Sequence, residues 1–151
     1  MKYSNKVNIA DFFMEIANEV YCIVKLDHAF PNYQAYSDID VFCYDIKKMV
    51  RAALKFGNEY VYKGFKIKVN EVSENQVHVD FYAPGEKKLD IRLDLMQSLG
   101  GYKKINVKSA LFSSILESRV PIKQNDIDLF VPTPIDDWLL RYIEYVEYYD
   151  I

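Results

Sequence analysis

Two carboxylates, Asp38 and Asp40, stand in the otherwise apolar stretch "YSDIDVFCYD" at residues 36–45. Ile39, Val41, Phe42 and Cys43 suit a strand, whereas Asp is depleted from strands. Successive strand residues point to opposite faces, so Asp38 and Asp40 share one face. Two like charges side by side need a positive group between them or full solvation at a strand entrance. A second acidic stretch, "LDIRLDL", alternates Leu89, Ile91, Leu93 and Leu95 with Asp90, Arg92 and Asp94, giving one apolar and one ionic face. If the two strands are neighbours, three carboxylates converge on one sheet edge. Such an oxygen-rich set suits Mg2+, a hard cation that keeps positions open for phosphate oxygens. Two such ions stabilise the attacking and leaving oxygens of an in-line phosphoryl or nucleotidyl displacement. The plain alternatives are a solvated strand entrance for Asp38 and Asp40, and an exposed face with weak ion pairs for Arg92 and Asp94.

Other residue types offer less. Asp80 in "VHVDFY" is a weaker candidate on a neighbouring strand, and spacing alone does not separate Asp90 from Asp94. "NDIDLFVP" holds a second D-x-D, Asp126 and Asp128, but only one predicted helix follows it, so it reads as a solvated edge segment. His28 and His78 lack partner spacing and read as loop or core histidines. Cys22 and Cys43 lie in apolar surroundings without CxxC spacing and read as buried free thiols. No G-x-S-x-G, Gly-rich phosphate loop or H-E-x-x-H is present. A net charge of −3 gives no general pull toward nucleic acid.

The elements that must position these residues are legible from pattern. With 50% hydrophobic and 27% charged residues, the 151-residue chain has the composition of a folded domain, and one domain over residues 1–151 is expected. No apolar run reaches transmembrane length, and Asp11, Glu15 and Glu19 interrupt any signal-like core, so a cytoplasmic protein is expected. Helical spacing opens the chain at Ile9, Phe12, Phe13, Ile16, Ala17 and Val20, followed by a strand in "VYCIVKL" and a loop in "DHAFPNYQAYS". After "SDIDVFCY", Asp45 caps a helix in "IKKMVRAALKF", with Gly57 as its stop. "EYVYKGFKIKVNEV" and "QVHVDFYA" read as strands, "PGEKK" as a hairpin turn into "LDIRLDL", and "SALFSSILESR" as a helix. "DIDLFVP" is extended, and Thr133 with Pro134 starts a last helix, "PIDDWLLRYIEYVEYYD". The order predicts an α+β protein with a mixed sheet and helices on one side. In the last helix Trp138, Tyr142, Tyr145 and Tyr149 recur at helical spacing beside Leu139, Ile143 and Val146. That row is expected to pack on the core, with a homodimer through the helix as the second possibility.

The arrangement resembles the nucleotidyltransferase superfamily, in which an apolar strand and a turn lead to D-x-D on a second strand, with a third Asp on a later one. "SDIDVFCY" matches the second strand and "DIRLDL" the third. The likeness is greatest to stand-alone nucleotidyltransferase-like proteins found with bacterial surface-polysaccharide genes. Those share the layout of "YCIVKLDHAFPNYQAYSDID" and the ending "ILESRVPIKQNDIDLFVPTPIDDWLLRYIEYVEYY". The resemblance implies a small mixed β-sheet flanked by helices, a Mg2+ site with room for two ions, an NTP and a hydroxyl or phosphate acceptor. It implies Asp38, Asp40 and Asp94 as metal ligands and catalytic residues, with Asp94 also serving as base; Ser37, next to the D-x-D, is expected beside the nucleotide, and Lys25 is expected to supply charge there in place of the family's turn, opposed by Asp27. One departure stands out. The family's Gly-Ser after the first strand is replaced by Lys25, Leu26 and Asp27, and residues 1–56 contain no glycine. Backbone amides approach a phosphate less easily without that glycine. Two readings follow, an enzyme and a related binding or regulatory module that has lost catalysis. A third, an interaction domain without a ligand, holds if the ionic face of "LDIRLDL" lies away from Asp38 and Asp40.

Overall fold

A computed structural model describes residues 2–149. Its elements are β1 (Tyr3–Ser4), α1 (Ile9–Glu15), β2 (Tyr21–Val24), β3 (Tyr33–Gln34), β4 (Ser37–Cys43), α2 (Ile46–Tyr62) and β5 (Lys66–Ser73). There follow β6 (Gln76–Tyr82), β7 (Ile91–Met96), α3 (Ser109–Ser118), β8 (Val120–Gln124), β9 (Ile127–Val131) and α4 (Pro134–Tyr148). Five strands form the main sheet in the order β2-β4-β7-β6-β5, in which only β4 and β7 run parallel. The fold is α+β with a mixed sheet, as the element order predicts. No described helix is long and apolar enough to cross a membrane.

Strand alternation divides the core in two. Tyr21, Ile23, Val41, Leu93, Leu95, Val77, Val79 and Phe81 turn to α1 and α2, joining Phe12, Phe13, Met49 and Phe56. Their neighbours Cys22, Val24 and Phe42 turn the other way, onto Phe112, Ile115 and Leu116 of α3 and Leu140 of α4. Helices therefore cover both faces of the β2–β4 end, not one side only. Phe42, 2% exposed, meets Phe112 with ring centroids 4.8 Å apart; burying such a side chain contributes about 1.5–3 kcal/mol.

Several boundaries differ from the pattern-based reading, each for a local reason. Asp45 does cap α2, accepting from the Lys48 amide at 3.1 Å, but Gly57 does not stop it. Gly57 is buried inside the helix, where an added Cβ would fall 2.4 Å from Ile67 Cδ1. Its role is to let β5 approach, and "EYVY" is helix rather than strand. The helix ends instead near Gly64, whose φ of +92 suits the glycine after a helix end. The first helix stops at Glu15, short of Val20. The loop before β4 contributes β3, which pairs with β1. "DIDLFVP" is not a lone extended piece: β9 pairs with β8 through a turn at Asn125 and Asp126, with φ of 50 and 63. Pro121 disguises β8 as loop. Thr133 caps α4 by accepting from Asp136 N at 3.2 Å. The predicted last helix extends to Asp150, which lies outside the described residues.

Cys22 and Cys43 are free and buried, and burial pushes both thiols up to about 12.

Candidate functional site

Strand register assembles the acidic residues. The parallel pairing of β4 with β7 sets Asp38 opposite Arg92 and Asp40 opposite Asp94. On the far side of β7, β6 sets Asp80 opposite Arg92 and His78 opposite Asp94. Beyond it, β5 sets Lys68 opposite Asp80 and Asn70 opposite His78. One sheet face thus carries two rows, Asp38-Arg92-Asp80-Lys68 and Asp40-Asp94-His78-Asn70. The first alternates in sign along its length. The second concentrates negative charge where β4 meets β7.

At that junction, one carboxylate oxygen each from Asp38, Asp40 and Asp94 lies within 4.8 Å of the others. Asp38 is exposed and Asp94 buried, with Asp40 between. Two oxygens on opposite sides of one cation are about 4.2 Å apart for Mg2+ and about 5 Å for the larger Ca2+. The trio lies inside the second limit and within a small side-chain adjustment of the first. The donor set therefore fits a hard divalent cation.

The three carboxylates are not equivalent. Asp38 makes no hydrogen bond or ion pair with a described residue. Asp94 Oδ1 accepts from Gln76 Nε2 at 2.9 Å and lies 3.3 Å from His78 Nε2. Burial raises the Asp94 pKa, against the opposing pull of Gln76 and His78. Burial also pushes Asp40 up to about 6; Lys25 opposes the rise, and the nearby Asp38 and Asp94 add to it. The Lys25 ammonium is 2.9 Å from Asp40 Oδ2 and 2.7 Å from Glu144 Oε1. Burial alone would lower the Lys25 pKa, but Asp40 and Glu144 outweigh it and hold it above the ordinary lysine value. Lys25 also has a φ of 55, the left-handed backbone that glycine takes most easily.

The remaining candidates separate clearly. Ser37 lines a cavity of about 210 Å3 together with Lys25, Asp27, Asn32, Asp38 and Asp40, and its hydroxyl donates to the Gln34 carbonyl. Asp80 is engaged by the Arg92 guanidinium in two bonds, Nε to Oδ1 at 2.7 Å and Nη2 to Oδ2 at 3.0 Å. Asp90 lies outside β7 and is buried, accepting from Ser4 Oγ at 2.9 Å and from the Tyr33 hydroxyl. It anchors β1 and β3 rather than joining the trio. Asp128 is solvated, its side chain 84% exposed and 3.7 Å from Lys123. His28 is exposed in a loop beside Asp27.

Two neighbours of the three carboxylates escape pattern reading. His78 is not isolated, since it faces Asp94; the alternation of Gln76, His78 and Asp80 in "QVHVDFY" carries that signal once β6 is paired with β7. Glu144 has no local signal, being 119 positions from Lys25 in the chain. It lies on the inner side of α4, while Ile135, Trp138, Tyr142, Tyr145 and Tyr149 are exposed. The aromatic row therefore faces solvent, with Trp138 stacked on Tyr142 at 5.3 Å, and α4 reaches the core through Leu140 and Ile143. Glu147 accepts from the Lys103 and Lys104 amides at 2.6 and 2.8 Å, tying the preceding loop to the same helix.

No protein-family model matches the chain, and no match was found among curated proteins or solved structures.

Proposed function

We propose that the chain is a cytoplasmic nucleotidyltransferase-like protein that binds an NTP through a divalent cation held by Asp38, Asp40 and Asp94. The observation that carries this reading is the convergence of three carboxylates from two parallel neighbouring strands, with oxygens within 4.8 Å. A divalent cation at this position draws in phosphate oxygens and neutralises the charge that develops on them. In the transfer, an acceptor hydroxyl oxygen bonds to the α-phosphorus as the bond to pyrophosphate breaks. Asp94 takes the hydroxyl proton, a role suited to a carboxylate whose pKa burial has raised. Gln76 and His78 hold that carboxylate in place. Ser37 and Lys25 line the adjoining cavity, where the nucleotide would lie. The exposed aromatic row of α4 is the face we assign to pairing of two chains.

A second reading, a nucleotide-binding module without catalysis, is favoured by Lys25. Its ammonium already bonds Asp40, and a lysine stands where the family's glycine would let amides reach a phosphate. Calorimetric titration of ATP, CTP, GTP and UTP with Mg2+ tests the common ground. The expected result is metal-dependent binding by at least one nucleotide, weakened on the order of 100-fold or more in Asp40→Asn. That exceeds the ten- to hundredfold that loss of a metal ligand's supporting partner costs. Equal binding by wild type and Asp40→Asn would remove the site from both readings. Release of pyrophosphate by wild type, lost in Asp94→Asn, would select the enzyme over the module.

A further inference from the structure

Lys25 occupies a place that its surroundings make specific. Its ammonium bonds one oxygen of Asp40, on β4, and one of Glu144, on α4, at 2.9 and 2.7 Å. Only 29% of the side chain is exposed, so its stem is packed into the protein. Two carboxylates from separate elements thus enclose one cationic nitrogen.

A carboxylate that bridges two metal ions gives one oxygen to each. Here Asp40 Oδ2 is taken by the ammonium, and only the other oxygen of that carboxylate is left for a cation.

We infer that the Lys25 ammonium takes the place of a second divalent cation, so that the protein binds one such ion and supplies the other positive charge itself. The inference rests on the cation-site reading proposed above. Asp40 Oδ2 and Glu144 Oε1 are then the two oxygens of a second cation position whose occupant is part of the chain. The site gains a permanent charge that needs no ion from solution, and α4 is coupled to the carboxylates through Glu144.

Counting bound Mn2+ per chain, from the EPR signal of the free ion together with calorimetry, tests this directly. Wild type is expected to bind one ion. Lys25→Gly, which suits the left-handed backbone at this position, is expected to bind two. Adding Glu144→Gln to Lys25→Gly should return the count to one, because the second position loses an oxygen ligand. Lys25→Met, which keeps the packed stem, gives the same count of two if the glycine variant folds poorly, with folding followed by circular dichroism and thermal unfolding. One ion in wild type and in both single variants would overturn the inference while leaving the cation site standing. Two ions in wild type would also overturn it. Binding by none of the chains would overturn it together with the reading it rests on.

Discussion

Nearly the same six residues occur twice in this chain, SDIDVF at 37–42 and NDIDLF at 125–130, with different outcomes. In both copies the apolar residue after the second Asp is buried, Val41 at 0% and Leu129 at 1% exposure. The acidic residues diverge. Asp38 and Asp40 lie on β4, an inner strand between β2 and β7. Asp126 is in a turn, and Asp128 is on β9, which among the described residues pairs with β8 alone. Asp40 consequently meets Asp94 and Lys25, whereas Asp128 meets water and, at 3.7 Å, Lys123. Alternation supplies a shared face in each case. What makes one pair a candidate site is the neighbouring strand that brings a third carboxylate.

The sharpest way to break that comparison is to remove the last residue of each copy. Phe42→Ala should destabilise the fold by about 3–5 kcal/mol in urea titration, as for a buried Phe. Phe130 is only partly buried, so Phe130→Ala should cost about 1–2 kcal/mol. Equal losses would mean that the two strands are equally central. A smaller effect concerns Cys43, the residue after SDIDVF, together with Cys22. Burial holds both thiols near 12, above the ordinary value of about 8.5. Their neutral burial favours the fold fully below about pH 8.5, and that contribution is lost as pH rises toward 12. At pH 8 the native chain should leave a thiol reagent such as DTNB nearly untouched, while the denatured chain reacts at both cysteines. Prompt reaction of the native chain would show that this end of β4 is open. The smallest effect belongs to the second copy: Asp128→Asn should change stability by less than about 0.5 kcal/mol and leave Mn2+ binding unaltered.

Much of the site was legible because it depends on period-two alternation. "SDIDVF" and "LDIRLDL" each announce an ionic face, and pairing their strands anticipates a third carboxylate beside Asp38 and Asp40, with only the family resemblance favouring Asp94. Asp90 looked equivalent to Asp94 by spacing, since nothing local reveals that the strand begins one residue later and that Ser4 and Tyr33 hold Asp90. The caps of α2 and α4 were legible because Asp45 and Thr133 act within three residues of themselves. Gly57 misled because a helix-interior glycine and a helix-ending one look alike in sequence; contact with Ile67 decides between them. Glu144 was hidden because its partner lies at the other end of the chain, and a tertiary ion pair leaves no periodic trace.

The packing of α4 has an optical consequence. Trp138 is the only tryptophan in the chain. It stands 63% exposed on the helix that also carries Glu144, with its indole stacked on Tyr142. Excited at wavelengths where tyrosine does not absorb, this protein emits from one ring on one helix. Its fluorescence therefore monitors the environment of α4 without any attached dye.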